Sequence, residues 1–215
     1  SDGRIELGLG AGWFDAEHTA YGIPFPTLGQ RFDILEEQLE IITGMWNTPL
    51  DSQYSFEGQH HTIVGSPAIP KPIQAGGPPI VMGGYGPKRT PALAAKYASE
   101  FNLPFPPVEI YRASCDIVRA ACEARGRDPE SMTYSVAQVL CVGANDAEIA
   151  RRAQNIGREV DELLQNGAAG SPAQVLDKIA SFAEAGATRM YLQVLDMDDL
   201  DHIHLLAEEV MKVLP

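Results

Sequence analysis

Arg4-Ile5-Glu6-Leu7-Gly8-Leu9-Gly10-Ala11-Gly12-Trp13 is the stretch on which the reading of this chain turns. Residues 5–9 form a short apolar run suited to a strand, and glycines recur at alternate positions before an aromatic side chain. A strand that ends in bare backbone lets a flat or phosphorylated ligand approach closely. The same pattern also describes a tightly packed strand-to-loop turn. A dinucleotide fold needs Gly-x-Gly-x-x-Gly opening directly into a helix, so that the helix N-terminus meets the pyrophosphate. Here the spacing is Gly-x-Gly-x-Gly, and residues 14–26, with Gly22, Pro24 and Pro26, read as a long loop. The dinucleotide fold fits badly.

Outward from this strand the chain alternates. Residues 28–46 read as an amphipathic helix with Leu28, Phe32, Leu35, Leu39, Ile42 and Trp46 inward, and with Arg31, Asp33, Glu36, Glu37 and Glu40 facing water. An irregular segment at about 47–78 carries Tyr54-Ser55-Phe56 and His61-Thr62-Ile63-Val64 around Glu57-Gly58, the pattern of a β-hairpin. Strands are expected at 79–82, 100–103, 132–142 and 190–195, separated by helices over about 87–98, 108–125, 145–164 and 171–185. Ser171-Pro172-Ala173-Gln174 is a helix start with a cap, a proline at the first position and a capping box. In the closing helix Leu200, Ile203, Leu206, Val210 and Val213 are expected to face inward. Strands separated by helices argue for parallel βα units with right-handed crossovers. Five units are counted, where a closed eight-unit barrel takes about 250 residues.

Composition narrows the function classes. A chain of 215 residues with 45% hydrophobic and 21% charged content belongs with globular proteins. No apolar run approaches the roughly 18 to 20 residues of a membrane span, so no membrane partner is expected. The net charge of -13 argues against nucleic acid. Cys115, Cys122 and Cys141 lack metal spacing and read as small buried hydrophobes, and their odd number suits a reducing, cytoplasmic compartment. His60-His61 and the pair His202 and His204 lack the further ligands of a metal site. No Cys-x-x-Cys, Gly-x-Ser-x-Gly or Walker loop is present, which argues against a covalent-nucleophile hydrolase.

Gly83-Gly84-Tyr85-Gly86-Pro87-Lys88-Arg89 is the first candidate site. It closes a strand and opens a helix, where backbone N–H groups and the helix dipole favour an anion, and Lys88 and Arg89 add charge. A proline-capped helix with two solvated cations is the competing description. Gly10, Ala11 and Gly12 offer a second place of close backbone approach. Trp13 either lines a pocket or packs against the hairpin. Glu17 and His18 sit on the same loop and read as surface residues.

These residues together resemble a known family. Leu7 through Phe25, Arg31-Phe32 with its helix to Trp46, the Gly83–Thr90 segment, and Gly170-Ser171-Pro172 leading to Ala185-Gly186 are similar, in the same order, to the luciferase-like monooxygenases. The wording is closest to the actinobacterial branch that uses coenzyme F420. The resemblance implies a (β/α)8 TIM barrel in which residues 5–9 are the fourth strand. The chain is then a truncated barrel of five βα units, expected to be one domain over 1–215 and part of something longer. It also implies a deazaflavin (F420) or flavin (FMN) cofactor serving hydride transfer or monooxygenation of a small organic substrate. Gly83, Gly84, Tyr85, Gly86, Lys88 and Arg89 would hold the cofactor phosphate, Gly10, Ala11 and Gly12 would make a second cofactor contact, and Trp13 would meet the substrate. Some deazaflavin-dependent relatives carry a Glu where Trp13 stands, so no catalytic residue is assigned. The competing expectation is an inactive barrel fragment. In either case unpaired strand edges predict a homo-oligomer.

Overall fold

The computed structural model describes residues 1–214 and divides into two compact units, Ser1–Glu100 and Phe101–Pro215. The first unit runs β1 (Leu7–Gly8), α1 (Asp15–Tyr21), α2 (Leu28–Asn47), β2 (Tyr54–Glu57), β3 (Thr62–Ser66), β4 (Ile80–Gly83) and α3 (Arg89–Tyr97). β1 pairs with β4 in parallel, Leu7 against Ile80 and Gly8 against Val81. β2 and β3 form the expected antiparallel hairpin, closed by the Gly58 N–H donating to the His61 carbonyl at 2.9 Å.

α2 begins at a capping box in which Thr27 and Gln30 each accept the other's backbone N–H. Its apolar stripe buries Leu35 and Leu39, with Phe32, Ile42 and Trp46 half-buried. Leu28 does not join them: it is the first helical residue and remains exposed. α1 stands where a loop was expected. It buries no residue, so it has no apolar periodicity to read. Local bonds make it instead: the His18 ring donates to the Phe14 carbonyl at 2.9 Å, and Gly22 ends the helix in the left-handed conformation at φ +65°.

The second unit runs β5 (Glu100–Pro104, whose first residue closes the first unit), α4 (Val108–Ala124), β6 (Thr133–Val142), α5 (Asp146–Asn155), α6 (Val160–Asn166), β7 (Ala168–Gly170), α7 (Pro172–Glu184), β8 (Arg189–Gln193) and α8 (Leu200–Leu206), which runs on into a π turn, Ala207–Met211. β6 is its spine. It pairs in parallel with β8 from Ser135 against Arg189 to Val139 against Gln193, then with β7 from Leu140 against Ala168 to Val142 against Gly170. Successive β6 residues enter two cores. Val139 and Cys141 pack with Ile149, Ala153 and Leu163, while Leu140 and Val142 pack with Val175 and Val210. The capping box at Ser171 and Gln174 starts α7 as read from the sequence. All three cysteines are buried and free, and burial raises their thiols, Cys115 to about 11.

Three expectations need correction here. The helix expected over 145–164 is two helices, interrupted around Gly157. β7 was not foreseen, because Ala168-Ala169-Gly170 has no bulky or alternating side chains to announce a strand. In the closing segment Leu200, Ile203 and Val213 are exposed, while Val210 and His202 are buried. Leu206 and Val210 pack on the core as expected, and polar contacts around His202 set the phase of the first turn. His202 Nε2 accepts the buried Val142 N–H at 3.0 Å, which puts the imidazole proton on Nδ1. Asp199 caps α8 and takes Arg152 Nε at 3.0 Å, and Arg151 reaches the same oxygen.

This network makes the second unit sensitive to acid. Burial and the nearby Arg152 lower the His202 pKa beneath 6.5, and the Arg152 hydrogen bond holds Asp199 down to about 2. Both groups bind protons more readily in the unfolded chain. Their contributions are therefore complete at neutral pH and fade as pH falls, first for His202 below 6.5, then for Asp199 from 3.8 towards about 2. The urea midpoint is expected to fall in these two stages. Asp199→Asn should cost about 3 kcal/mol at pH 7 by leaving Arg152 short of its counter-ion, and it should remove the Asp199 part of the lower stage while lowering the His202 pKa further, since the Asp199 charge raises it. An unaltered lower stage in that variant contradicts the assignment.

Candidate cofactor site

The two glycine turns belong to neighbouring strands of the first unit. Leu7 N–H donates to the Pro79 carbonyl at 2.8 Å and Leu9 N–H to Val81 at 3.0 Å. Continuing that register brings Gly10 level with Gly83, so both turns leave the same, C-terminal, end of a parallel pair. β4 is anchored beneath by buried Ile80 and Met82. Above it Gly83, Tyr85 and Lys88 are exposed, and side chains do not cover the turn.

Backbone geometry shapes this mouth. Gly84 sits at φ +125°, a conformation in which any side chain is strained. At Gly86 an added methyl would lie 2.8 Å from Thr90 Oγ1, so the turn packs directly on the first residues of α3. Gly10 has the opposite character: nothing lies within 4 Å of where its side chain would be. The N-terminus of α3 carries no side-chain cap, since its N-cap residue is Lys88. The first-turn N–H groups of Arg89 and Thr90 are uncapped and the positive end of the dipole lies beside them, while Pro91 has no N–H to offer. Among the described residues Lys88 forms no ion pair.

Arg89 is engaged elsewhere. Its guanidinium bonds Asp33 at 2.7 Å and Glu36 at 2.6 Å, donates to the Gly29 carbonyl and lies 5.2 Å from the Phe32 ring centre. Of the two cations on the loop, Arg89 is thus paired with two carboxylates of α2, while Lys88 is not. Partial burial raises the Tyr85 phenol above its ordinary value.

The other turn is held by a residue the sequence reading placed in water. Arg31 Nη1 donates to the carbonyls of Ala11 at 3.1 Å and Gly12 at 2.6 Å, and its guanidinium stacks 3.9 Å from the Phe25 ring centre. A cation in the first turn of a helix opposes the helix dipole, and that mismatch was the available signal that Arg31 has a tertiary partner. Glu37 is likewise not solvated. It accepts the N–H groups of Gln59, His60 and His61 at the hairpin tip, and the His61 ring at 3.0 Å. Partial burial alone would raise its carboxyl, but the bonds from His61, His60 and Gln59 hold it below the ordinary value. Trp13 projects from the turn beside Phe14, 84% exposed, and His18 lies against Phe25.

Parallel βα units with ligand-sized openings at the strand C-termini define a class of α/β enzymes. A profile of the luciferase-like monooxygenases matches residues 1–168, and the chain belongs to that family. It is 27% identical over 158 residues to an FMNH(2)-dependent dimethylsulfone monooxygenase of Pseudomonas putida, covering 74% of this chain and 39% of that relative's length. An F420-dependent secondary alcohol dehydrogenase, solved with an F420-acetone adduct, superposes with a TM-score of 0.83 at 18% identity over 99% of this chain and 71% of its own. The EDTA monooxygenase of Chelativorans sp. BNC1 gives 0.77 at 20% identity, over 98% and 66%. These likenesses establish the fold, that of the luciferase-like TIM-barrel enzymes, of which the chain spans part. No helix among the described residues is long and apolar enough to cross a membrane.

The clamps on α2 predict separable local effects. Arg31→Ala should lower stability by about 1–3 kcal/mol and speed hydrogen exchange at residues 11–14. Glu37→Gln should speed exchange at residues 59–61 alone. Mass spectrometry of deuterium uptake distinguishes the two, and uniform acceleration in either variant would refute a local clamp.

Proposed function

We propose that this chain is the cofactor-binding part of an oxidoreductase that uses coenzyme F420 for hydride transfer with a small organic substrate. The observation that carries the reading is the pairing of two open glycine turns, level with each other on β1 and β4, with an uncapped helix N-terminus beside Lys88. The donors suit an anionic tail, and the bare backbone at Gly10 suits a flat group lying against it. When bound, such a coenzyme supplies the hydride, while the protein orients it and sets its polarity. Gly83, Gly84, Tyr85 and Gly86 would present backbone to the phosphate and Lys88 its ammonium. Arg89 would act through its grip on α2, fixing where α3 begins. Gly10, Ala11 and Gly12, held by Arg31, would flank the ring side, and Trp13 would meet the substrate.

FMN with monooxygenation is the second reading, favoured by the FMNH(2)-dependent relative. Both coenzymes carry a phosphate, so the same residues serve either.

Fluorescence and absorbance titrations with F420 and with FMN test the site and choose between the readings. Saturable binding of one coenzyme is expected. Lys88→Glu should weaken it at least tenfold, and Trp13→Ala should leave it unchanged. Asp33→Asn combined with Glu36→Gln should weaken it, because Arg89 then loses the grip that fixes where α3 begins. Failure of both coenzymes to bind a chain that keeps its circular-dichroism signal, or indifference to Lys88→Glu, would remove the proposal.

A further inference from the structure

The tip of the β2–β3 hairpin is built as an anion cradle. The backbone N–H groups of three consecutive residues, Gln59, His60 and His61, converge on one place beside the turn. Successive N–H groups so arranged form concavities that bind anions. The occupant comes from another element, 22 to 24 residues away: the Glu37 carboxylate of α2. Its Oε1 accepts the Gln59 N–H at 2.5 Å, and its Oε2 accepts the His61 N–H at 2.9 Å. The His60 N–H bridges the two oxygens at 3.1 and 3.0 Å. The His61 ring donates from Nδ1 to Oε2 at 3.0 Å, so four donors meet one planar group.

The turn also makes room for such a group. A methyl added at Gly58 would lie 2.5 Å from Glu37 Cδ and 2.6 Å from Oε1, with the Phe56 ring edge 2.6 Å away on its other side. No positive φ accounts for this glycine, so what it supplies is space. The cradle lies at the surface: Gly58, Gln59 and His60 are exposed, His61 is half-buried, and the Glu37 side chain itself keeps 13% of its exposure. The donors therefore become reachable from solvent once the Glu37 carboxylate is gone.

We propose that the hairpin tip is a carboxylate receptor, that Glu37 is its built-in occupant, and that an external carboxylate binds there when Glu37 is withdrawn. A tethered group reaches the cradle at a high effective concentration, so the intact chain masks the receptor from free carboxylates. The contact is in this sense autoinhibitory. Bonds from N–H groups to an ionised oxygen are roughly twice as strong as those to a neutral one, so a neutral amide of the same shape is a poor substitute. The cradle uses neither glycine turn and stands apart from the coenzyme reading.

Glu37→Ala empties the cradle, and sodium acetate is the probe, with acetamide as the neutral control and sodium chloride as the control for ionic strength. In the variant, acetate should shift the amide resonances of Gln59, His60 and His61 saturably, and it should slow hydrogen exchange at residues 59–61 at least threefold. The same resonances in the intact chain should not move. Acetamide should bind at least tenfold more weakly than acetate. His61→Phe added to Glu37→Ala removes the ring donor and should weaken acetate at least threefold. If the contact is structural only, exchange at 59–61 quickens in Glu37→Ala and acetate does not reverse it. That result overturns the proposal, as does an equal response to acetamide or chloride, indifference to His61→Phe, or saturable acetate binding at 59–61 in the intact chain. Should Glu37→Ala fail to fold, Glu37→Gln keeps the shape of the side chain without its charge, and acetate should slow exchange there by the same criterion.

Discussion

The polar side chains of α2 set the position of the turns and the hairpin of the first unit, while its apolar stripe packs the core through Leu35 and Leu39. Asp33, Glu36, Glu37 and Glu40 lie within about 100° of one another on one side of the helix, while Arg31 leaves the opposite side. Each reaches a different segment. Arg31 takes the carbonyls after β1, Asp33 and Glu36 take the start of α3, Glu37 the hairpin tip, and Glu40 both Lys96 and Tyr97 at the end of α3. Exposed ion pairs of this kind contribute about 0–1 kcal/mol each. What they supply is position. A hairpin tip and two glycine turns have little side-chain surface of their own to pack, so their placement has to come from polar bonds to something rigid.

The same clamps decide the local charge. A sequence with Lys88 and Arg89 after three glycines suggests two cations aimed at an anion. The fold assigns the second of them to α2, where Asp33 and Glu36 balance it. Lys88 and the uncapped N-terminus of α3 are left as the attractive elements. In the second unit Arg152 is treated similarly, enclosed by Asp199, Glu148 and the Val142 carbonyl. There the outcome is different, because the group is buried and its partners fix a helix phase that apolar residues alone do not set.

This division explains what could be read from the chain and what could not. The α2 stripe, the capping box at Ser171, the hairpin and the long β6 strand follow from periodicity and local hydrogen-bonding chemistry, which short sequence windows contain. α1 and β7 do not, since a helix that buries nothing and a strand of Ala-Ala-Gly leave no pattern. Leu200 and Ile203 misled because their spacing is helical and apolar, yet His202 between them has the stronger claim on the interior through Val142. At the candidate site the glycines were legible because bare backbone is itself the signal. The hydrogen-bond partners of Arg31, Arg89 and Glu37 lie 19 to 60 residues away, and no local window carries such distances.

Trp13 shows how far a family fold leaves the chemistry of one member open. An indole N–H donates a hydrogen bond but does not exchange a proton at neutral pH, so this side chain offers surface rather than acid–base catalysis. It stands 84% exposed on a turn whose carbonyls are held by Arg31. A ring so placed gains by being covered: each 100 Å² of apolar surface removed from water contributes about 2.5 kcal/mol. An aromatic side chain on a fixed turn also loses little conformational freedom when a ligand arrives. The arrangement therefore favours a flat or apolar partner through area and rigidity.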